Sequence, residues 1–462
     1  MGMVELFGKP ADACRLGIAC TLTWAFWLNG ASGAPTDQPL WQLSYMVLSA
    51  MMAVLGVCAL KRPHTMDAGR LGSAGAGMGV LGTIALVASL NMPNAGSLQV
   101  PAYLACGCAL GLLYLQWGPF YAQVSTKQMV GYLFAANIAA SLLKCVVHFV
   151  PDPLSFALAS ALPVVSAIAC FRARKTMPEA PAPTVRFSDS SAFGLWKVFV
   201  ALAVFSFLAA FLLGHAVGNQ SAVPPANFAA SRAFEMAVSA VVMVYVTTLG
   251  RSFNFAQLWR IVLVALAADV LLQIVLPEFD TLRCIESAVW DLIVLFSWLT
   301  IADIARHAVV DSLVVFGLGW PFYTLPFAAG SLVATAVGPG GLSSALVAVV
   351  LFVLLLTSAF CLEVRDQDTK LVFSELDESP DAPRDASEVA DIEGSCEALA
   401  RAHGLSPREL EVMKYLAKGR TKAYIAETLY LSENTVRSHT KHIYTKLDVH
   451  SKRDLMDLVG VE

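Results

Sequence analysis

The sequence predicts an all-α protein in two parts. The first is a polytopic membrane domain of about twelve transmembrane helices in a 6+6 layout, and the second a small C-terminal four-helix domain. Three observations predict this. The chain is 57% hydrophobic and only 14% charged, with a mean hydropathy of +0.63, whereas a soluble chain carries roughly 25% charged residues. Its apolar residues gather in runs close to the roughly 20 residues that a helix needs to cross a hydrocarbon core about 30 Å thick. Beyond Leu362 the character changes: Glu363–Glu393 hold 3 Lys+Arg against 11 Asp+Glu, and Gly394–Glu462 hold 11 against 9. The predicted boundaries are 1–362 for the membrane domain, 363–394 for an acidic disordered linker and 395–462 for the C-terminal domain.

The runs are, in order, Arg15–Gly30, Trp41–Leu60, Leu71–Met92, Leu98–Trp117, Met129–Val150, Pro153–Phe171, Gly194–Val217, Phe228–Gly250, Gln257–Leu276, Cys284–Asp303, Val309–Gly330 and Gly341–Leu362. Gly and Ala are frequent in them, as in "GSAGAGMGVLG" from Gly72; in a bilayer such residues let helices approach closely. Lys and Arg concentrate in alternate gaps, at Lys61, Arg62 and Arg70, at Lys127, at Arg172, Arg174 and Lys175, at Arg251 and at Arg306. The intervening gaps Ala31–Leu40, Pro93–Ser97, Gly218–Asn227 and Ser331–Gly340 have none; Arg232 and Arg283 are the exceptions, both close to an outer boundary. By the positive-inside rule both termini are cytoplasmic, in a multi-pass protein of the cell membrane. Lys9, Arg15 and the following apolar stretch imitate a signal peptide, but Trp24, Trp27, Thr21, Thr23 and Asn29 are too bulky or polar for one, which favours retention.

Six runs, a charged loop from Arg172 to Phe193 and six more runs form a two-halves layout, and over about the first 360 residues this layout resembles the major facilitator superfamily. The resemblance implies a transporter-like bundle built of two paired halves. "MDAGR" at Met66–Arg70 stands where that superfamily has a longer Gly-Asp-Gly-Arg pattern.

The stretch from Glu363 has few large apolar residues and a high negative charge, so it is expected to be disordered. In "LSPRELEVMKYLAKG", Ser406 and Glu409 have capping-box spacing and Pro407 takes the first helical position. Leu410, Met413, Leu416 and Ala417 make an apolar stripe. A second helix carries Ile425, Ala426 and Leu429. Ser432 caps a third, on which Val436, Thr440, Ile443 and Leu447 share one sector while Asn434, Arg437, Ser438, Lys441 and Thr445 share the other. Ser451 and Asp454 open a last helix bearing Leu455, Met456 and Leu458.

These 55 or so residues, with S-P-R-E, I-A-E-x-L, L-S-x-x-T-V-R-x-H and K-L-x-V-x-S-K in sequence, resemble the LuxR-type helix-turn-helix domain of bacterial transcription regulators. The resemblance implies double-stranded DNA as partner, read by Thr435, Arg437, Ser438 and Lys441, and Asn434 on the same polar face joins them as a candidate. It implies phosphate contact from Lys422, which stands in "KAY" where the family often has Asn-Lys-Glu. It also implies a homodimer on DNA through Leu455, Met456 and Leu458, with RNA polymerase as a further partner.

Ionisable residues inside a bilayer are costly and mark function by default. Arg232, Glu235, Asp269, Glu286 and Asp291, with Trp290 beside the last, form the candidate ligand site. Arg232 and Glu235, three apart, can pair; Asp269 and Asp291, half-way along consecutive runs, can approach and favour a cationic or amine-bearing ligand. Lys144 and His148 lie toward an outer end, where snorkelling accounts for them. The ten cysteines have no metal or redox spacing, and H-x-x-H at His439 and His442 lacks further ligands, so no metal or cofactor is expected. Phosphate-binding loops, nucleophile elbows and zincin helices are absent from the sequence, which speaks against an enzyme. The reading is a membrane-embedded one-component transcription regulator that senses a small ligand. The alternative is a major-facilitator-type transporter with a regulatory tail.

Overall fold

The computed structural model describes residues 10–29, 40–62, 66–92, 95–177, 195–217, 225–247, 283–337, 386–417, 431–449 and 452–459, with a few helical or turn residues between (264, 265, 267, 268, 349, 353, 425, 426, 428 and 429). It divides into two compact units, Met1–Glu375 and Leu376–Glu462. Among the described residues all regular structure is helical.

In the first unit a 3₁₀ turn, Pro10–Leu16, leads into α1 (Ile18–Leu28), followed by α2 (Trp41–Lys61), α3 (Ala68–Asn91), α4 (Gln99–Gln123), α5 (Thr126–Phe149) and α6 (Asp152–Lys175). The second half begins with α7 (Trp196–Val217) and α8 (Pro225–Thr247), then α9 (Arg283–His307), α10 (Ser312–Gly319) and α11 (Pro321–Val337). Among the described residues eight spans are long and apolar enough to cross a membrane, and Ala13–Leu28 and Lys197–Phe211 are shorter apolar helices. Runs Gln257–Leu276 and Gly341–Leu362 lie almost wholly outside the described residues. Local signals set the helix starts. Asp67 accepts from Gly69 N–H ahead of α3, Ser125 and Gln128 form a full capping box on α5, and Asp311 accepts from Leu313 N–H on α10. Pro321 has no N–H to give and separates α10 from α11.

Apolar side chains such as Val54, Leu81, Ile84, Ile168 and Val241 stand exposed on these helices, the pattern of a surface that meets lipid rather than water. Inside, the two halves meet along a polar seam. Gln42 donates to Ser331 at 3.1 Å, the hydroxyls of Ser49 and Thr324 are 2.5 Å apart, and Asn137 donates to Ser239 at 3.1 Å. At one end Thr126 donates to the fully buried Asp303 at 2.8 Å and Arg306 donates to the Gln123 carbonyl at 3.3 Å. Near that end α2 crosses α10 at Gly56 and Gly317, where a Cβ on Gly56 would lie 2.9 Å from the Gly317 carbonyl carbon. Only glycine permits that approach of two backbones.

The second unit contains α12 (Ala386–Ala402), α13 (Pro407–Ala417), α14 (Glu433–Leu447) and α15 (Lys452–Val459). Helix α12 corrects the predicted linker, which ran to residue 394. The chain is already helical from Ala386, because Pro383 is the last proline before a stretch rich in Ala and Glu, both good helix formers. Cys396 and Ala400 of α12 join Val412, Met413 and Leu416 of α13, Ile425, Ala426, Val436, Ile443 and Leu447, and Leu455 and Val459 of α15 in one core. Glu397 pairs with Lys414 at 2.7 Å, fixing α12 to α13. Gly404 takes a left-handed φ of 64° directly after α12, where His403 and Leu405 N–H close the helix on the Leu399 and Ala400 carbonyls.

Candidate functional site

The C-terminal unit presents one helix with a packed side and a polar side. Ser432 caps α14 by accepting from Thr435 N–H at 3.1 Å. Val436, Thr440, Ile443 and Leu447 are buried, and the Thr440 hydroxyl is satisfied by the Val436 carbonyl at 2.7 Å. Asn434, Thr435, Arg437, Ser438 and Lys441 are all exposed. Thr435 is partly committed, since its hydroxyl is 2.7 Å from that of Ser432. The others form a face with two cations, an amide and a hydroxyl, groups that can reach base edges and phosphates. Lys422 lies outside the described residues.

Glu409 orients α14 from below. Its carboxylate accepts from Ser406 N–H at 2.7 Å, completing the capping box with Ser406 Oγ, and pairs with Lys446 at 2.7 Å and His442 at 3.7 Å. Bonding to Lys446 first, then to the Ser406 N–H, holds the carboxyl down at about 2. Arg408 pairs with Glu411 and donates to the Leu429 carbonyl at 2.7 Å, tying α13 to the segment before α14.

The dimerisation prediction is corrected at α15. Leu455 is fully buried in the unit's own core and Met456 is 8% exposed, so neither offers a surface. Only Leu458, 45% exposed, remains on the outside. The helical period of α15 turns Leu455 and Val459 inward together, which leaves Leu458 on a different face.

In the membrane unit a cavity of about 40 Å³ opens between the halves. Phe26 of α1 and Asn29 at its C-terminal cap, Tyr45 of α2, Tyr114 of α4, Asn137 and Lys144 of α5, Trp290 and Asp291 of α9 and Tyr323 of α11 are on its wall. Behind it runs an ion-pair network. Lys144 Nζ is 3.0 Å from Asp291 and 3.5 Å from Glu235, and Arg232 Nη2 is 2.7 Å from Glu235. Ser141 donates to Glu235 at 3.0 Å, and the Arg232 guanidinium lies over the Phe26 ring at 4.7 Å.

Among the predicted ligand residues, the structure brings Trp290 and Asp291 to the cavity and sets Arg232 and Glu235 behind it as the expected pair. Asp269 and the Glu286 side chain lie outside the described residues. The snorkelling of Lys144 is corrected: its side chain is 3% exposed and bridges two carboxylates of the other half. His148 stacks on Phe228, with centroids 3.8 Å apart. Asn29, Tyr45, Asn137 and Tyr323 were missed, because polar residues without charge gave no signal within an apolar run.

Comparison with known proteins bears on both units. The description "Bacterial regulatory proteins, luxR family" matches residues 403–459. Over 53 residues the chain is 49% identical to the oxygen regulatory protein NreC of Staphylococcus haemolyticus and 47% identical to that of Staphylococcus epidermidis. This is 12% of the chain and 24% of each relative, so the chain spans about a quarter of the length of the curated relatives it matches. A crystal structure of a bacterial homologue of the iron transporter ferroportin, in an outward-facing state, superposes on 76% of this chain and 97% of its own with a TM-score of 0.51 and 13% identity, a likeness of fold. The chain therefore carries, over residues 403–459, a domain of the bacterial luxR regulatory family, in the same chain as a helical unit whose fold is like that of the ferroportin homologue.

Proposed function

We propose that this protein is a membrane-embedded, one-component transcription regulator of the cell membrane, with both termini in the cytoplasm. The observation that carries the reading is the exposed set Asn434, Arg437, Ser438 and Lys441 on a capped, internally packed α14, in the same chain as a charged cavity inside a membrane bundle. The membrane unit senses a small ligand and the tail binds double-stranded DNA as a homodimer, with RNA polymerase as the downstream partner. To signal, the ligand must prefer one conformation of the membrane unit, since equal affinity for two shifts nothing.

The test is genome-wide DNA capture with the full-length protein in its membrane, alongside Arg437→Ala. Discrete sites lost in the variant at unchanged membrane level support the reading; identical capture by parent and variant discards it. A second reading, a transporter with a regulatory tail, is favoured by the position of the cavity between two halves. Accumulation of a solute in vesicles carrying the protein would support it.

A further inference from the structure

The amide and indole donors on the cavity wall are committed, while one amide acceptor is not. Asn29 Oδ1 is buried against it with no hydrogen-bond partner, while Asn29 Nδ2 donates to the Tyr45 hydroxyl at 3.1 Å. Trp290 Nε1 is spent on the Tyr323 hydroxyl, also at 3.1 Å. Asp291 is the more open member of its ion pair, with its side chain 15% exposed against 3% for Lys144. The remaining wall is aromatic, from Phe26, Tyr45, Tyr114, Trp290 and Tyr323, and ring faces attract cations. An anion would find both neighbouring cations engaged, Lys144 by two carboxylates and Arg232 by Glu235. The space is small: a water needs roughly 10–15 Å³ measured this way, so about 40 Å³ admits only a few heavy atoms.

We propose that this cavity binds a small monovalent ammonium group, either ammonium itself or the head of a primary amine, which takes Asp291 from Lys144. Lys144 already stands 3.5 Å from Glu235, so it has a second carboxylate to which it can move. The exchange leaves Glu235 shared by Lys144 and Arg232, adds one positive charge, and removes the Lys144–Asp291 bond between α5 and α9 while Thr126 and Asp303 still join those helices at their other end. The ligand then competes with an internal cation whose bond joins the two halves, which gives binding a differential effect on conformation. The class of ligand deepens the sensing reading above and rests on it only for its consequence in the cell.

The experiment uses the purified full-length protein in nanodiscs at constant ionic strength. Ammonium chloride, methylammonium chloride, sodium chloride and sodium acetate are titrated in turn, followed by tryptophan fluorescence and by the midpoint of thermal unfolding. The expected result is a saturable response to ammonium, to methylammonium or to both, and none to sodium or acetate. Saturation by ammonium alone assigns the free ion, and saturation by methylammonium the amine head. Asp291→Asn should weaken binding by about tenfold or more, the scale of a lost charge-assisted hydrogen bond, whereas Lys144→Gln removes the competitor and should tighten it by a similar factor. Opposite signs from the two partners of one ion pair are a signature that a merely structural pair would not give. Asn29→Ala leaves the ion pairs intact and should weaken binding several-fold, so the test survives if Lys144→Gln fails to fold. A folded parent with no saturable response, unchanged affinity in Asp291→Asn, or saturation by acetate that Lys144→Gln abolishes would each overturn the proposal. If ammonium binds in vitro while reporter transcription ignores it in cells, the site stands and the sensing reading fails. If the reporter responds to another solute and ammonium does not bind, the reverse holds.

Discussion

A single carboxylate, Glu409, ties the start of α13 to α14 through Ser406, Lys446 and His442. Because its folded carboxyl is held at about 2 against an ordinary 4.5, its stabilisation is complete above about 4.5 and is lost as pH falls toward 2. Lys446 is 37% exposed, so solvent screening limits the effect to about 1–2 kcal/mol. Glu409→Gln in the isolated unit 376–462 should lower stability by that amount at pH 7, measured by urea unfolding, and flatten the acid limb between pH 4.5 and 2. On the opposite face Arg437→Ala should cost binding on a cognate site more than on random DNA, about 1–3 kcal/mol of discrimination if Arg437 reads a base. An equal, salt-sensitive loss on both DNAs, in filter binding or fluorescence anisotropy, would assign it to phosphate. The α14 residues were legible in the sequence because burial there follows 100° steps within fifteen residues. Lys144 was not legible, because Asp291 lies 147 residues away and no local pattern links them.

At the scale of elements, α12 adds to the C-terminal unit beyond the matched segment 403–459. Its Cys396 and Ala400 are buried in the common core, with Leu399 packed beside them. A fragment beginning at residue 403 should therefore fold less stably than one beginning at 386. A loss of about 2 kcal/mol would lower the melting temperature by roughly 8–16 °C in a domain of this size, read by circular dichroism. The high negative charge around Ala386 hid this helix, since composition alone reads the stretch as solvated. The described membrane helices were legible from length and hydropathy, yet their crossings were not. Nothing in "LGVCAL" or "FGLGW" announces that Gly56 and Gly317 touch. Gly317→Leu should force α2 and α10 apart and lower the thermal stability of the solubilised protein, while Gly77→Ala, with open space around its Cβ, should not.

At the scale of the whole molecule the alternation of basic gaps predicts orientation. Reporter fusions after Arg62, Arg174 and Glu462 should read as cytoplasmic, and fusions near Pro35 and Asn219 as external. An external reading at Glu462 would remove the tail from DNA and end the regulator proposal. The sequence showed two units and their order because hydropathy and charge change abruptly after Leu362. The polar seam between the halves was hidden, because Ser, Thr, Asn and Gln are cheap in sequence and acquire meaning only when two distant helices bring them together.

The quartet Arg232, Glu235, Lys144 and Asp291 carries two formal positive and two formal negative charges. Rearranging it as a unit moves no net charge through the transmembrane field and involves no electrical work. The empty membrane unit should thus be insensitive to voltage as far as these residues go. A monovalent cation lodged beside Asp291 changes this, because part of the membrane potential acts on it, up to about 2.3 kcal/mol per 100 mV for a full crossing. In proteoliposomes, a potassium diffusion potential set with valinomycin should shift ammonium affinity while leaving the proteolysis pattern of the unliganded protein unchanged. Such a protein would register cation concentration and membrane energisation as one quantity.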